Sequence, residues 1–221
     1  METIMNQLFG TPYYKSKINS ILYNKYEIIN AIENNYRLDS SRNSWDGHDV
    51  YSSNVHQSVN DFDNTKFDSI NFEKLLPLYN EKINEFFSQL KLKKSISYKY
   101  QIVNYTCMKS TQFLKEHTHD CEFAAVHYIK FNPVKHLPTF YVNDSGYCNY
   151  LAQVIPKLTS VLDPTNIENS WASKYFYMTV EEDDFVIVPG VVPHFVPPSH
   201  SDELRITIVV NIKIDYVDDG N

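Results

Sequence analysis

Glycine is scarce in this chain: five residues in 221. That argues against Gly-rich loops and leaves a composition led by strand formers, with 17 Tyr and 13 Phe. Cysteine is scarce as well. Cys107, Cys121 and Cys148 form an odd set with no CxxC spacing. This excludes a disulfide framework and points to a reducing compartment. Basic residues are outnumbered, 20 against 27 acidic, for a net charge of −7. No nucleic-acid partner is expected, because such a surface is usually basic. No apolar run approaches the ~20 residues a membrane span needs, and Met1 to Tyr13 lacks the basic and apolar regions of a signal peptide. The expectation is a soluble, cytoplasmic protein with no membrane partner. There is no internal repeat.

What is present suits a globular chain, with 43% apolar residues. The expected organisation is a single domain over 1–221. It comprises an N-terminal part (1–94) of strand, helices and long loop, a strand-rich core (95–214) and an acidic tail (215–221). Leu8 to Tyr14 reads as a short edge strand, with Pro12 confined to an edge or a strand start. Ile28, Ile29, Ile32 and Tyr36 fall at helical spacing, predicting a helix from about Lys25 to Tyr36. Residues 38–65 are polar and hold Trp45; they read as a long loop with room for one short strand, either a lid or binding loop or an ordered surface connection. Leu75, Leu76, Tyr79, Ile83, Phe86, Phe87 and Leu90 keep the spacing of one buried stripe, predicting a helix from about Phe72 to Leu90, with Pro77 near its first turn.

From Ile96 the pattern turns to strands: 97–105, 123–131, 139–142, 175–180, 185–189 and 204–214. An irregular stretch, with a helix or insertion near Tyr150 to Val161, interrupts them. Helices first and antiparallel-type strands second give an α+β, mainly β class with a closed or sandwiched sheet.

The chemistry gathers at Lys115-Glu116-His117-Thr118-His119-Asp120-Cys121-Glu122. In a strand, residues i and i+2 share a face, so the two imidazoles of the HxH converge. Two surface histidines are the plain alternative. His194 follows the strand-ending Pro189-Gly190 in an apolar setting, where an imidazole is costly to bury without a partner; a metal would satisfy it. Eleven residues on, Arg205, Thr207 and Asn211 share one strand face, with Ile206, Ile208, Val210 and Ile212 on the other. A guanidinium facing inward needs an anion, and its planar fork suits a carboxylate. A surface Arg is the alternative. His48, His56, His127, His136 and His200 fit no ligand spacing; His127 shares strand parity with the HxH and is either a cavity residue or a satisfied core histidine.

The ordered set Leu8 to Pro12, Val103-Asn104-Tyr105, the HxH, Tyr128-Ile129, Phe185 to Pro189, His194-Phe195-Val196 and Arg205 to Asn211 resembles the 2-oxoglutarate/Fe(II)-dependent oxygenases of the prolyl-hydroxylase-like type, in its phage and marine-bacterial form. The resemblance covers most of the chain and is densest over 95–212. It implies a double-stranded β-helix (jelly-roll, cupin-like) with N-terminal helices packed outside. It also implies Fe(II), 2-oxoglutarate as co-substrate and O2, and a dioxygenase that converts 2-oxoglutarate to succinate and CO2 while hydroxylating a small-molecule or peptide substrate. His117 matches the first metal ligand, His194 the distal histidine and Arg205 the carboxylate anchor. Tyr128 and Asn104 fall where such enzymes place hydrogen bonds to co-substrate or substrate, and Thr207 adds a hydroxyl beside Arg205.

One position departs from the family's pattern. HxD is usual there, and this chain has His119 at the carboxylate place. The expected ligands are His117, His119 and His194, with Asp120 or Glu122 swinging in as the alternative. Imidazole also suits Zn, Ni or Mn, so ligand type alone does not select iron. Two other readings of the chain stand beside the oxygenase: a non-catalytic cupin-like protein that binds a metal or small ligand, and an interaction protein that has kept the barrel. Substrate and oligomeric state are not legible.

Overall fold

The computed structural model describes residues 4–8, 10–42, 48–58, 70–144, 153–163 and 166–217. Trp45, Cys148 and the start of the insertion expected near 150 lie outside them, as do residues 218–221 of the expected acidic tail. In chain order come β1 (Ile4–Leu8), β2 (Thr11–Lys17), α1 (Lys25–Leu38), β3 (Tyr51–Gln57), α2 (Leu76–Gln89) and β4 (Ile96–Met108). There follow β5 (Leu114–His117), β6 (Phe123–Lys130), β7 (Phe140–Val142), β8 (Tyr175–Tyr177), β9 (Asp184–Pro189), β10 (His194–Val196) and β11 (Arg205–Val217).

Two antiparallel sheets face each other. The larger has the order β1-β2-β9-β6-β11-β4-β3 and the smaller β5-β10-β7-β8. This is a double-stranded β-helix with its helices on the outer face of the larger sheet, the mainly-β α+β class expected from the sequence. Strand alternation sorts the side chains. Phe185, Ile187, Ala125, Ile129, Ile206, Ile208, Val210 and Ile212 point to the helices and pack with Ile28, Ile32, Tyr79, Ile83 and Phe86. Val186, Val188, Val126 and Tyr128 point between the sheets and meet Tyr141 and Phe176 of the smaller one. Each fully buried large side chain contributes roughly 1.5–3 kcal/mol, so both faces of the larger sheet are held firmly. Among the described residues, no helix is long and apolar enough to cross a membrane.

Two details correct the sequence reading, and a third places the one short strand it admitted. β2 is not an edge strand. β1 pairs on one side of it and β9 on the other, with the β1–β2 hairpin turning at Gly10 (φ +80). Pro12 is accommodated because β9 pairs only from Tyr14 onward, so its missing N–H faces no second neighbour. α2 begins at Leu76, not near Phe72. Residues 73–75 form a turn instead, and Pro77 occupies the helix's first turn, where its missing N–H costs nothing. The polar stretch 38–65 contains β3, which pairs with β4 and buries Tyr51, Ser52 and Ser53.

Of the two readings open for His127, the core histidine is the one the structure bears out. It is buried on the helix side, its Nδ1 2.8 Å from the Tyr79 hydroxyl and its Nε2 3.6 Å from Asp183. Asp183 also accepts from Tyr23 and from the buried Lys25. This polar knot ties α1 and α2 to the turn before β9.

Candidate metal centre

β5 and β10 bring the first two histidines together. His117 and His194 are directly opposed in the β5–β10 ladder, and facing side chains of such a pair sit close. Their ring centroids are 4.4 Å apart. His119 lies just past the end of β5 and is held by a clamp: its N–H donates to the Gly190 carbonyl at 2.8 Å, and the Gly190 N–H donates to the Glu122 carbonyl at 3.0 Å. Glycine is required at 190, because a Cβ there would lie 2.2 Å from the Cys121 carbonyl oxygen. Gly190→Ala is therefore expected to push the 119–122 segment away. The expected cost is about 1–3 kcal/mol of stability, with a measurable loss of metal affinity, read by urea denaturation and by metal titration.

The ligand-type nitrogens of His117, His119 and His194 all lie within 4.8 Å of one another. The His119 and His194 Nε2 atoms are 3.3 Å apart. Two ligand nitrogens each about 2.1 Å from one cation would be roughly 3.0–3.4 Å apart, so this separation fits a shared ion. The remaining ring nitrogens set the tautomers. His117 Nδ1–H donates to the Lys115 carbonyl (2.8 Å) and His194 Nδ1–H to the Val192 carbonyl (2.9 Å). Both rings then present an Nε2 lone pair inward, with the outer N–H engaged as metal-bound histidines usually have it. The donor set fits a divalent transition metal.

Neither nearby carboxylate joins the cluster. Asp120 is fully exposed and 4.0 Å from Lys213. Glu122 accepts the Ile214 backbone N–H at 3.0 Å, pointing away from the cluster.

Burial keeps the imidazoles neutral. His194 is pulled down to about 3, by burial first and then by the other two histidines. His119 is pulled down to about 4 by burial and His117, with Asn211 acting in the opposite sense. Burial also lowers His117, against the opposing pull of the Lys115 carbonyl. A folded-state pKa below the unfolded value of about 6.5 means that the unfolded chain takes up protons first. The metal-free protein should therefore lose stability as pH falls from about 6.5 toward 4 and then 3. Denaturant titrations in EDTA at pH 7 and pH 5 would test this; equal midpoints would contradict it.

Arg205 opens β11 and is 3% exposed. Its guanidinium carbon lies 5.4 Å from the Tyr128 ring and 5.9 Å from Phe131. One terminal nitrogen approaches the Met108 sulfur at 3.7 Å, while Nε and the other terminal nitrogen have no hydrogen-bond partner. Burial pushes its pKa down, against the pull of the nearby Tyr128 and Tyr141 phenols. A buried guanidinium without a counter-charge is costly, and a bound anion would offset the cost.

Arg205, Thr207, Thr106 and the three histidines line one cavity between the sheets. Thr106 and Thr207 are cross-strand partners with hydroxyls 2.7 Å apart. One proton bridges them, and the other remains to donate beside Arg205. Tyr128 supports Arg205 with its ring, while its hydroxyl donates to Thr139.

Asn104 is the predicted site residue placed elsewhere. It lines a second, outer cavity that also touches His117 and His119. Three further residues of that cavity went unsingled as site residues in the sequence: His48, whose ring centroid is 5.3 Å from that of His117, and Asn54 and His56. The only sequence signal for them was the polar, loop-like character of 38–65.

Three imidazoles thus converge at the mouth of a double-stranded β-helix, a cluster that could hold a metal ion. No protein-family model and no curated protein sequence matches the chain. Solved structures do. The non-heme alpha-ketoglutarate-dependent carbocyclase SnoK from nogalamycin biosynthesis is 13% identical over 92% of this chain and 79% of its own, with a TM-score of 0.52. A Pseudomonas putida prolyl-4-hydroxylase is 11% identical over 91% of both chains, with a TM-score of 0.50. At these identities the likeness is one of fold.

Proposed function

We propose that the chain is a 2-oxoglutarate- and Fe(II)-dependent dioxygenase that hydroxylates a small-molecule or peptide substrate. The observation that carries this reading is the buried Arg205, short of hydrogen-bond partners in the same cavity as three inward-facing histidines. That is the complement of a short dicarboxylate with one end on a metal and the other on a guanidinium.

His117, His119 and His194 would hold the metal through Nε2, leaving open positions on it for co-substrate and O2. When bound, Fe(II) supplies the redox chemistry by which O2 is consumed, 2-oxoglutarate becomes succinate and CO2, and a substrate C–H becomes C–OH. The chain's own work is positional and electrostatic. Arg205 would grip the distal carboxylate with two N–H groups, and the Thr106–Thr207 pair would add one hydroxyl. Tyr128 would keep the guanidinium in place from its ring face, and the apolar wall of Leu114, Val126, Val196 and Val209 would limit water.

The test is succinate formation from 2-oxoglutarate by the purified protein with Fe(II) and ascorbate. Turnover without added substrate suffices, and Arg205→Met should remove it. The histidine at the carboxylate place favours the second reading, a metal-binding barrel without turnover. A protein that binds metal at the three histidines yet forms no succinate would establish it.

A further inference from the structure

His117 and His119 stand between two cavities of different chemistry. The inner one holds the guanidinium and the threonine hydroxyls. The outer one, about 580 Å³ and open to solvent, carries three carboxamides, Asn54, Asn104 and Asn211, together with His48, His56 and the exposed Asp120. Position along the strands makes the division. Thr106 and Asn104, two apart, share the inward face of β4, Thr106 beside the inner cavity and Asn104 beside the outer one. On β11 the same row runs from Arg205 and Thr207 out to Asn211. Asn54 is directly opposite Asn104 in the β3–β4 ladder. Both ladders are irregular at this level, β4–β11 between Val209 and Val210 and β3–β4 between Asn54 and Gln57. The second irregularity contains His56 at φ 48, a left-handed conformation. Irregularities of this kind re-aim side chains beside sites.

Asn104 is wholly buried at the cavity floor, and neither its carboxamide oxygen nor its nitrogen has a hydrogen-bond partner. The Asn211 oxygen acts on the neighbouring His119 ring but makes no hydrogen bond of good geometry. Buried amides are rarely left so. A carboxylate would satisfy only the Asn104 nitrogen and would set negative oxygens against two carboxamide oxygens. An ammonium would satisfy only the oxygens. A group that carries an acceptor and a donor side by side satisfies both ends of Asn104 at once. Among the described lining residues there is no Lys or Arg to favour an anion, and the carboxylate of Asp120, which would favour a cation, is fully exposed and 4.0 Å from Lys213.

Resting on the reading of the inner cavity as the co-substrate site, we propose that the outer cavity is the substrate pocket. Asn104, flanked by Asn211, reads a neutral carboxamide or lactam edge on the substrate. Asn104 is then a specificity residue for substrate and not a ligand of 2-oxoglutarate.

Ligand-observed NMR on protein loaded with Ni(II) and 2-oxoglutarate tests this with matched probes. Isobutyramide and 2-piperidone supply the carboxamide and lactam edges; methyl isobutyrate, isobutyrate and isobutylamine supply the alternatives. The amide probes should bind at least fivefold tighter than the other three, and the better of the two identifies the source of the edge. Asn104→Leu should erase the preference. Asn104→Asp, which keeps size and removes the donor, should shift it toward isobutylamine, and it serves if the leucine variant does not fold. No preference, no detectable binding, or a preference that survives both variants overturns the proposal. So does a loss of 2-oxoglutarate affinity beyond tenfold on Asn104→Leu with amide binding intact. Failure of the oxygenase reading looks different: wild-type protein gains no thermal stability from 2-oxoglutarate, whatever the probes do.

Discussion

Replacing Arg205 by Met is expected to abolish 2-oxoglutarate binding and, in the same variant, to make the ligand-free protein more stable. The two effects have one cause. Arg205 is buried, and among the described residues no carboxylate pairs with it. The folded chain therefore carries the desolvation cost of a cation offset by neutral groups alone: the Tyr128 and Phe131 rings, the Tyr128 and Tyr141 phenols and a methionine sulfur. Methionine keeps much of the volume and removes the charge. Substitutions of this kind at buried ionic sites stabilise by about 1–4 kcal/mol, and in a chain of this size 1 kcal/mol is about 2–4 °C in Tm. Ligand should reverse the ranking. At 100 times its Kd, 2-oxoglutarate adds about 2.7 kcal/mol to wild type and nothing to the variant. Thermal melts of both proteins with and without 2-oxoglutarate give all four values. A variant that melts several degrees below wild type without ligand would mean that the guanidinium is already satisfied. Arg205→Lys separates charge from shape: it keeps a cation and loses the fork, so it should regain only part of the binding.

The site was legible in the sequence where its residues lie in one strand or at one turn. Arg205, Thr207 and Asn211 share a face because β11 is regular enough through them for period two to hold. His194 stood out because an imidazole after Pro-Gly in an apolar setting had to be doing something. The helices were legible because Ile28 and Ile32, and Tyr79, Ile83 and Phe86, keep a stripe that only the 3.6-residue period explains. Parity does not carry across a break, which is why it offered His127 a cavity role that the core reading displaces. His127 has the parity of His117 and His119, but β5 and β6 belong to different sheets and residues 118–122 form the connection between them. The count restarts, so Tyr128 faces inward and His127 faces the helices. β3 was nearly invisible for another reason. Its buried Ser52, Ser53 and Gln57 read as loop residues, and only pairing with β4 makes them strand. Asn104 was picked out, but the carboxamide row it belongs to depends on registers between β3, β4 and β11 that no single strand encodes.

His194→Ala is the second substitution with a large expected effect, and it tests the three-histidine centre directly. Loss of an outer-sphere partner of a metal ligand already costs about 10–100-fold in affinity. Loss of a ligand itself should exceed about 100-fold, so the variant should purify without metal and fail to retain Ni(II) or Fe(II) on dialysis. His119→Asp makes the contrast. It restores the two-histidine, one-carboxylate set at a position whose backbone the Gly190 clamp fixes, and it should keep the metal while lowering the charge of the site by one unit. The metal-free proteins supply an independent readout. His194 is the most strongly depressed of the three imidazoles, at about 3. Its removal should flatten the loss of stability between pH 6.5 and 3, because the unfolded chain then has one fewer imidazole to protonate. A His194→Ala protein that binds one metal ion with undiminished affinity would show that the cation sits elsewhere, and the proposed roles of His117 and His119 would fall with that of His194.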